Sequence, residues 1–322
     1  MSHPQRPTMQ AMEAARLRLL DWMEPTPLVP LNLDLPDRRI FLKLETLSPI
    51  GAFKLRPALN AMLSRDRASL SKGVATISSG NMAYGMAHVS HVLGVKMAAY
   101  MFAGAPQTKI DGVRRLGGEV RFIGMDDWWR YITEADRPLL EELLINPVID
   151  QAVLDGNGTI GLEIAQDLPA IDAVFVPYGG GSLITGLASA LKYLKPEAKI
   201  FACEDENAAP VAAALRAGHI VDVEMNPSFI KSIGGPSLLP QIWPVAQKLI
   251  DGAVSVSLEQ VTDAMRILFS KARVVAEGAG AASLAAALAS PHVKGNVVCV
   301  ISGGNIDADD YATVLSGGIP AP

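Results

Sequence analysis

Lys54 stands between Phe53 and Leu55 in the run Gly51-Ala52-Phe53-Lys54-Leu55-Arg56, on the approach to a helical pattern. A lysine in apolar surroundings gives up its charge more readily and becomes nucleophilic toward carbonyls. A second stretch, Ala173 to Leu187, runs from a short apolar segment through Gly179, Gly180 and Gly181 into an apolar helical pattern that begins at Leu183. Glycines between a strand and a helix remove every Cβ where successive backbone N–H groups converge, at the positive end of the helix dipole. An anion, usually a phosphate, is the natural guest of such a turn. A dinucleotide loop G-x-G-x-x-G would need glycine where Ile184 stands, and no G-x-x-x-x-G-K-[ST] run occurs. The guest is therefore expected to be a small monophosphate, its identity left to the rest of the chain.

Three other stretches place small or polar residues where a buried strand is expected to end. They are Ser78-Ser79-Gly80-Asn81 after 74–77, Glu204 after 200–203, and Ser302-Gly303-Gly304-Asn305 after 297–301. Ligands of open α/β sheets bind beyond the carboxyl ends of the strands, so these segments can converge on one cleft.

The elements that must position them follow from periodicity. Residues 9–23 read as an amphipathic helix with Met12, Ala15, Leu19 and Trp22 on one face. A strand at 39–44 precedes the lysine segment, which continues as a helix to Leu63. Strands at 74–77, 95–101 and 119–123 then alternate with helices at 82–94 and 109–117, the mark of a parallel sheet covered by helices. Asp126 to Leu144 is acidic, carries Trp128 and Trp129, and reads as a helix or lid-side segment. Gly156-Asn157-Gly158 is expected to precede another helix. A strand at 200–203 leads to a helix ending at Gly218, and Ser257-Leu258-Glu259-Gln260 is a capping box for a helix running to Lys271. Small residues from Ala279 to Ala287 imply a tightly packed helix before the last strand. The expected organisation is two α/β lobes, residues 1–72 with 146–322 forming the larger, cofactor-binding one and 73–145 the smaller.

Composition sets the outer limits. The 322 residues are 49% hydrophobic and 19% charged, which describes a globular enzyme-like chain far from disordered composition. A net charge of −5 argues against nucleic acid or an anionic membrane as the main partner. Cys203 and Cys299 stand alone with no C-x-x-C pair, which suits a reducing cytoplasm. No apolar signal core opens the chain, and no run approaches the length of a membrane span.

With the lysine run at 51–56, Ser-Ser-Gly-Asn at 78–81, Gly-Gly-Gly-Ser-Leu at 179–183 and Ser-Gly-Gly-Asn at 302–305 in this order, nearly the whole chain resembles the fold-type II pyridoxal-phosphate enzymes. The likeness is to their threonine dehydratase and serine racemase branch. It implies two open, twisted, mainly parallel sheets covered by helices, with pyridoxal 5′-phosphate in the cleft between them. Lys54 would carry the cofactor aldehyde as a Schiff base, with Phe53 beside the ring. The backbone of Gly179, Gly180, Gly181, Ser182 and Leu183 would hold the phosphate, and Asn81 the ring hydroxyl. Ser78, Ser79, Gly80, Asn81 and Met82 would receive the substrate. Ser302 would face the pyridine nitrogen, where a neutral hydroxyl makes the ring a shallower electron sink than a carboxylate would and favours elimination over transamination.

The implied reaction is loss of water from a 3-hydroxy amino acid of the threonine or serine type, giving a 2-oxo acid and ammonia. Lys54 would act as base at Cα. Ser79, on the opposite ring face in relatives that racemise, would make an amino-acid racemase the nearest alternative, and a non-catalytic ligand-binding relative is a remoter one. The resemblance also implies a cytoplasmic homo-oligomer, a dimer; the chain stops soon after the last motif, so an appended regulatory domain is not expected.

Departures from the family pattern carry their own expectations. Ala52 and Pro57 replace a serine and a glycine of the lysine motif, Met82 replaces a histidine, and Tyr84 a glutamine. Met82 and Tyr84 are expected to border the substrate, and a bulkier 3-aryl-serine would suit Met82. Glu204 matches a cation ligand of relatives, yet its acidic partner position is Pro210, so no metal is expected. Glu277 is expected to border the cofactor ring or to serve packing, and His88 and His91 are read as structural.

Overall fold

Runs at 74–77, 173–177 and 297–301, apolar but for Thr76, become strands buried along their length, as parallel strands covered on both faces require. The computed structural model describes residues 3–105, 107–124, 127, 130–132 and 140–322. Its strands are β1 Leu28–Pro30, β2 Arg38–Leu44, β3 Val74–Ile77, β4 Met97–Phe102, β5 Glu119–Ile123, β6 Leu143–Leu144, β7 Ala173–Pro177, β8 Lys199–Asp205, β9 Gly252–Val256 and β10 Gly295–Ile301. Six of them form a sheet in the order β1-β2-β10-β7-β8-β9, parallel except for the β1–β2 pair. The other four form a parallel sheet in the order β5-β4-β3-β6. The chain is thus an α/β fold of two open, mainly parallel sheets flanked by helices.

The helices are α1 Met9–Leu19, α2 Leu55–Leu63, α3 Asn81–Leu93, α4 Gln107–Arg115, α5 Gln151–Asp167, α6 Ser182–Leu194, α7 Pro210–Ala217, α8 Trp243–Ala246, α9 Leu258–Ile267, α10 Gly278–Leu288 and α11 Ala308–Leu315. The larger sheet separates two apolar clusters, one with Phe175, Cys299 and Ile301, the other with Val174, Val176 and Val300. Leu19, Ile50, Leu55 and Leu59 share a third cluster with Val74, Met97 and Met101 of the smaller sheet. The segment carrying Lys54 therefore lies between the two sheets.

Several expected boundaries differ. Helix α1 stops at Leu19, and Trp22 lies beyond it, partly exposed, while Met12, Ala15 and Leu19 form the buried face. Gly156-Asn157-Gly158 is not a turn but the buried middle of α5. A Cβ on Gly156 would lie 2.9 Å from Pro57 Cα, and one on Gly158 only 2.5 Å from Met12 Cγ, so these glycines serve close helix packing. The Ser257–Gln260 capping box is present, but regular α-helix ends at Ile267, a π-turn covers Leu268–Ala272, and Arg273 closes it at φ 60°. Strands β1, β6 and β9 are short or half-exposed and carry little periodic signal. Trp128 and Trp129, with much of the acidic stretch around them, lie outside the described residues, while Arg130 pairs with Asp127 at 2.8 Å.

Candidate active site

Lys54 caps the N-terminus of α2 and is fixed there by a backbone splint from the larger sheet. Phe53 N–H donates to Ser302 O at 2.9 Å, Ala52 bridges Gly303, and Gly304 N–H donates to Gly51 O at 2.9 Å. The loop after β10 thus holds the lysine run by its main chain. The Lys54 side chain is enclosed on nearly all sides yet keeps partial exposure, and its ammonium lies 4.7 Å from the Phe53 ring. Among the described residues it has no ion-pair or hydrogen-bond partner. Burial pushes its pKa down from 10.5 to about 8.

The serine-rich loop reaches the same place through α3. A Cβ on Gly85 would lie 2.9 Å from Lys54 O, so this glycine lets α3 press against the lysine's main chain. Gly80 precedes α3, and no acid stands in its first turn, which leaves free N–H groups suited to an anion. Asn81 donates to Glu277 Oε1 at 2.7 Å and accepts from Asn305 Nδ2 at 2.9 Å. Ser79 Oγ accepts the N–H of Phe102 at 3.1 Å, and Ser78 Oγ that of Gly80 at 3.2 Å. Lys109 of α4 stands 3.5 Å from Glu277 Oε2, with its ammonium 4.0 Å from where a Gly80 Cβ would be. No motif marked Lys109; it enters the site only because α4 packs beside α3.

The glycine turn follows β7 and opens α6. A Cβ on Gly179 would lie 2.7 Å from Ser232 O, one on Gly180 2.6 Å from Val148 Cγ2, and one on Gly181 2.7 Å from Tyr178 Oη. Gly181 also takes φ 93°, a left-handed value that favours glycine. Ser182 Oγ donates to Pro147 O at 3.1 Å, and Leu183 is buried. Helix α5 ties this turn to the lysine. Its Gly156 packs on Arg56 and Pro57 just after Lys54, and its Leu154 and Asn157 pack on Gly186 of α6. Phe53 leans on the apolar cluster that contains Tyr178 and Leu183. Lys54, the turn at 179–183, the start of α3 and the 302–305 loop are accordingly neighbours.

Ser302 is buried, and its hydroxyl makes no hydrogen bond among the described residues. Met82 is only 1% exposed and sits in the apolar cluster with Leu55 and Ala58, and Tyr84 packs on Gly112. Met82 thus packs in the interior beside the start of α3, and Tyr84 is half-buried against α4. Glu204 is fully buried, accepts from the N–H groups of Val211 and Ala212 at 2.7 and 2.9 Å, and is pushed up to about 7 by burial. Among the described residues no cluster of His, Cys, Asp and Glu is arranged to hold a metal ion. His88 is half-buried and His91 exposed on α3.

A family model described as pyridoxal-phosphate dependent enzyme matches residues 19–303. An L-threonine ammonia-lyase of Thermotoga maritima is 37% identical over 286 residues, covering 87% of this chain and 70% of the relative. A serine racemase of Arabidopsis thaliana is 34% identical over 315 residues, covering 92% of each. The processed form of threonine deaminase isoform 2 from Solanum lycopersicum superposes with a TM-score of 0.84 at 31% identity, over 98% of this chain and 91% of that one.

Proposed function

The chain belongs to the pyridoxal-phosphate dependent enzymes, and on that premise we propose that it is an ammonia-lyase removing water from a 3-hydroxy amino acid of the threonine or serine type. The residues present fit the cofactor. Three adjacent glycines let the turn pack where a Cβ would collide with Ser232, Val148 or Tyr178, which leaves its backbone bare of side chains, and an unpaired lysine with a lowered pKa stands close by. Bound pyridoxal phosphate supplies the electron withdrawal that loosens the proton on the substrate's Cα. Every other step falls to this chain's own groups.

In this reading the N–H groups of Gly179 to Leu183 hold the phosphate on the dipole of α6. Asn81, oriented by Glu277 and Asn305, would hold the ring hydroxyl, and the Ser302 hydroxyl would serve the ring nitrogen. The loop Ser78–Asn81 and the first N–H groups of α3 receive the substrate carboxylate, with Lys109 adding positive charge beside Gly80. Lys54 would hold the cofactor aldehyde until the substrate amine takes its place, and, so freed and neutral, would remove the Cα proton. The products are a 2-oxo acid and ammonia.

The observation that carries the proposal is Lys54 itself, a buried amine without a counter-charge, held by its main chain against the Ser302–Gly304 loop. The test is ammonia and 2-oxo acid release from L-threonine, L-serine, 3-phenylserine and 3-hydroxyaspartate. Silence with all of them ends the lyase reading.

One feature favours a racemase as the second reading. Ser79 Oγ acts as acceptor toward Phe102, so its own proton stays available for donation to Cα. Chiral analysis of unreacted serine beside the 2-oxo acid assay separates the two. We place the enzyme in the cytoplasm, because Cys203 and Cys299 are buried free thiols, and as a homodimer, which sedimentation would check.

A further inference from the structure

Tyr178 follows β7 directly, and although only 2% exposed it has a hydroxyl with no hydrogen-bond partner among the described residues. A buried hydroxyl left unpaired is costly, and native folds rarely keep one without a use. This one lies against the glycine turn, 2.7 Å from where a Gly181 Cβ would stand, with Ile242 at 3.4 Å from the same point. The other hydroxyls of the turn are committed: Ser182 Oγ donates to Pro147 O, and Thr185 Oγ1 donates to Gly181 O at 2.8 Å. Glu204 is the charged neighbour, and both of its oxygens already take backbone N–H groups. Burial first, and the Glu204 charge second, push the phenol up, so Tyr178 stays protonated and remains a donor.

We propose that Tyr178 Oη donates a hydrogen bond to the cofactor phosphate held by residues 179–183, adding one side-chain donor to a cradle otherwise made of backbone. The inference rests on pyridoxal phosphate occupying this turn, and it explains why Gly181 carries no Cβ: any side chain there would displace the hydroxyl.

The test compares the parent protein with Tyr178→Phe, each stripped of cofactor and titrated separately with pyridoxal phosphate and with pyridoxal, followed by tryptophan fluorescence. Affinity for pyridoxal phosphate should fall about 10- to 100-fold in the variant, the range for one hydrogen bond to a charged acceptor. Affinity for pyridoxal, which lacks the phosphate, should be the same in both proteins. The cofactor-free variant should melt at or above the parent's temperature, because it no longer buries an unpaired hydroxyl. Equal affinities for pyridoxal phosphate, or equal losses for both aldehydes, would overturn the inference by assigning the ring a packing role. A parent that takes up no pyridoxal phosphate would instead bring down the cofactor site, and the inference with it.

Discussion

Asn81 donates its side-chain amide to Glu277 across 196 residues of sequence, at 2.7 Å, and so joins the first residue of α3 on the smaller sheet to the residue preceding α10 on the larger. Lys109 approaches the other Glu277 oxygen at 3.5 Å, and Asn305 fixes the Asn81 carbonyl at 2.9 Å. One carboxylate therefore orients an amide and balances an ammonium in the same cleft. Glu277→Ala should release both, and cofactor affinity is expected to fall about tenfold or more, the scale of a hydrogen bond to a charged group. Glu277→Gln still offers Asn81 an acceptor and should lose less. Titration of the two cofactor-free variants checks the order, and identical affinities would remove Glu277 from the site.

Lys54 sets the pH dependence. Its pKa falls from 10.5 to about 8 because burial disfavours the ammonium. Between those values the unfolded chain binds the proton that the folded chain has released, so the stability of the cofactor-free protein rises with pH across that window. Below the folded value both states are protonated, and the full penalty stands. Lys54→Met should erase this rise in urea-unfolding curves taken across the window. The rate of cofactor capture should climb as pH passes about 8, where the amine becomes a free nucleophile. Lys54→Ala should lose ammonia release by about a thousandfold or more, as removal of a covalent base implies.

Two residues further on, Arg56 anchors the segment. It is 1% exposed and donates to Glu45 at 2.8 Å, Glu163 at 2.5 Å, Thr26 at 3.0 Å and Thr159 at 3.1 Å. Lys43 joins Glu163 at 2.6 Å, so two buried cations face two buried carboxylates. Burial alone would raise the Glu163 carboxyl, but Arg56 and Lys43 hold it below its ordinary value of 4.5. The stability this contributes is complete above that value and is lost as pH falls below it. Arg56→Met strands Glu45 and leaves Glu163 with Lys43 alone, and should cost about 3–5 kcal/mol of unfolding free energy, measured by urea denaturation near neutral pH.

How much of this was legible in the sequence depended on how local the cause was. Residues 173–177 and 297–301 read as strands because each is apolar throughout, and the glycines at 179–181 announce a cradle because the missing Cβ atoms are a property of the turn itself. The partnership of Asn81 with Glu277 depends on how two sheets meet, and no spacing encodes it. Gly156 and Gly158 misled for the same reason: their missing Cβ atoms make room for Pro57 and Met12, which lie far away along the chain. Met82 stands next to Asn81, yet its side chain turns into the core, because adjacent helix positions point in different directions. Tyr178 carried no signal until Gly181 placed its hydroxyl under the turn.

The three glycines of that turn should not be equally sensitive to alanine. At Gly180 the new Cβ meets the end of the Val148 side chain at 2.6 Å, and a small movement of one side chain can relieve the contact. At Gly179 it meets the Ser232 carbonyl at 2.7 Å, which is main chain and yields only if the 232–234 segment shifts. At Gly181 it meets Tyr178 Oη at 2.7 Å and must also adopt φ 93°, a left-handed strain of about 1–2 kcal/mol for a residue with a side chain. Loss of cofactor affinity should therefore rank Gly181→Ala first, Gly179→Ala second and Gly180→Ala last. Equilibrium titration with pyridoxal phosphate reads the order directly. If Gly180→Ala were the most damaging, the turn would meet its guest mainly from the Val148 side, and the Tyr178 side would lose its claim to the phosphate.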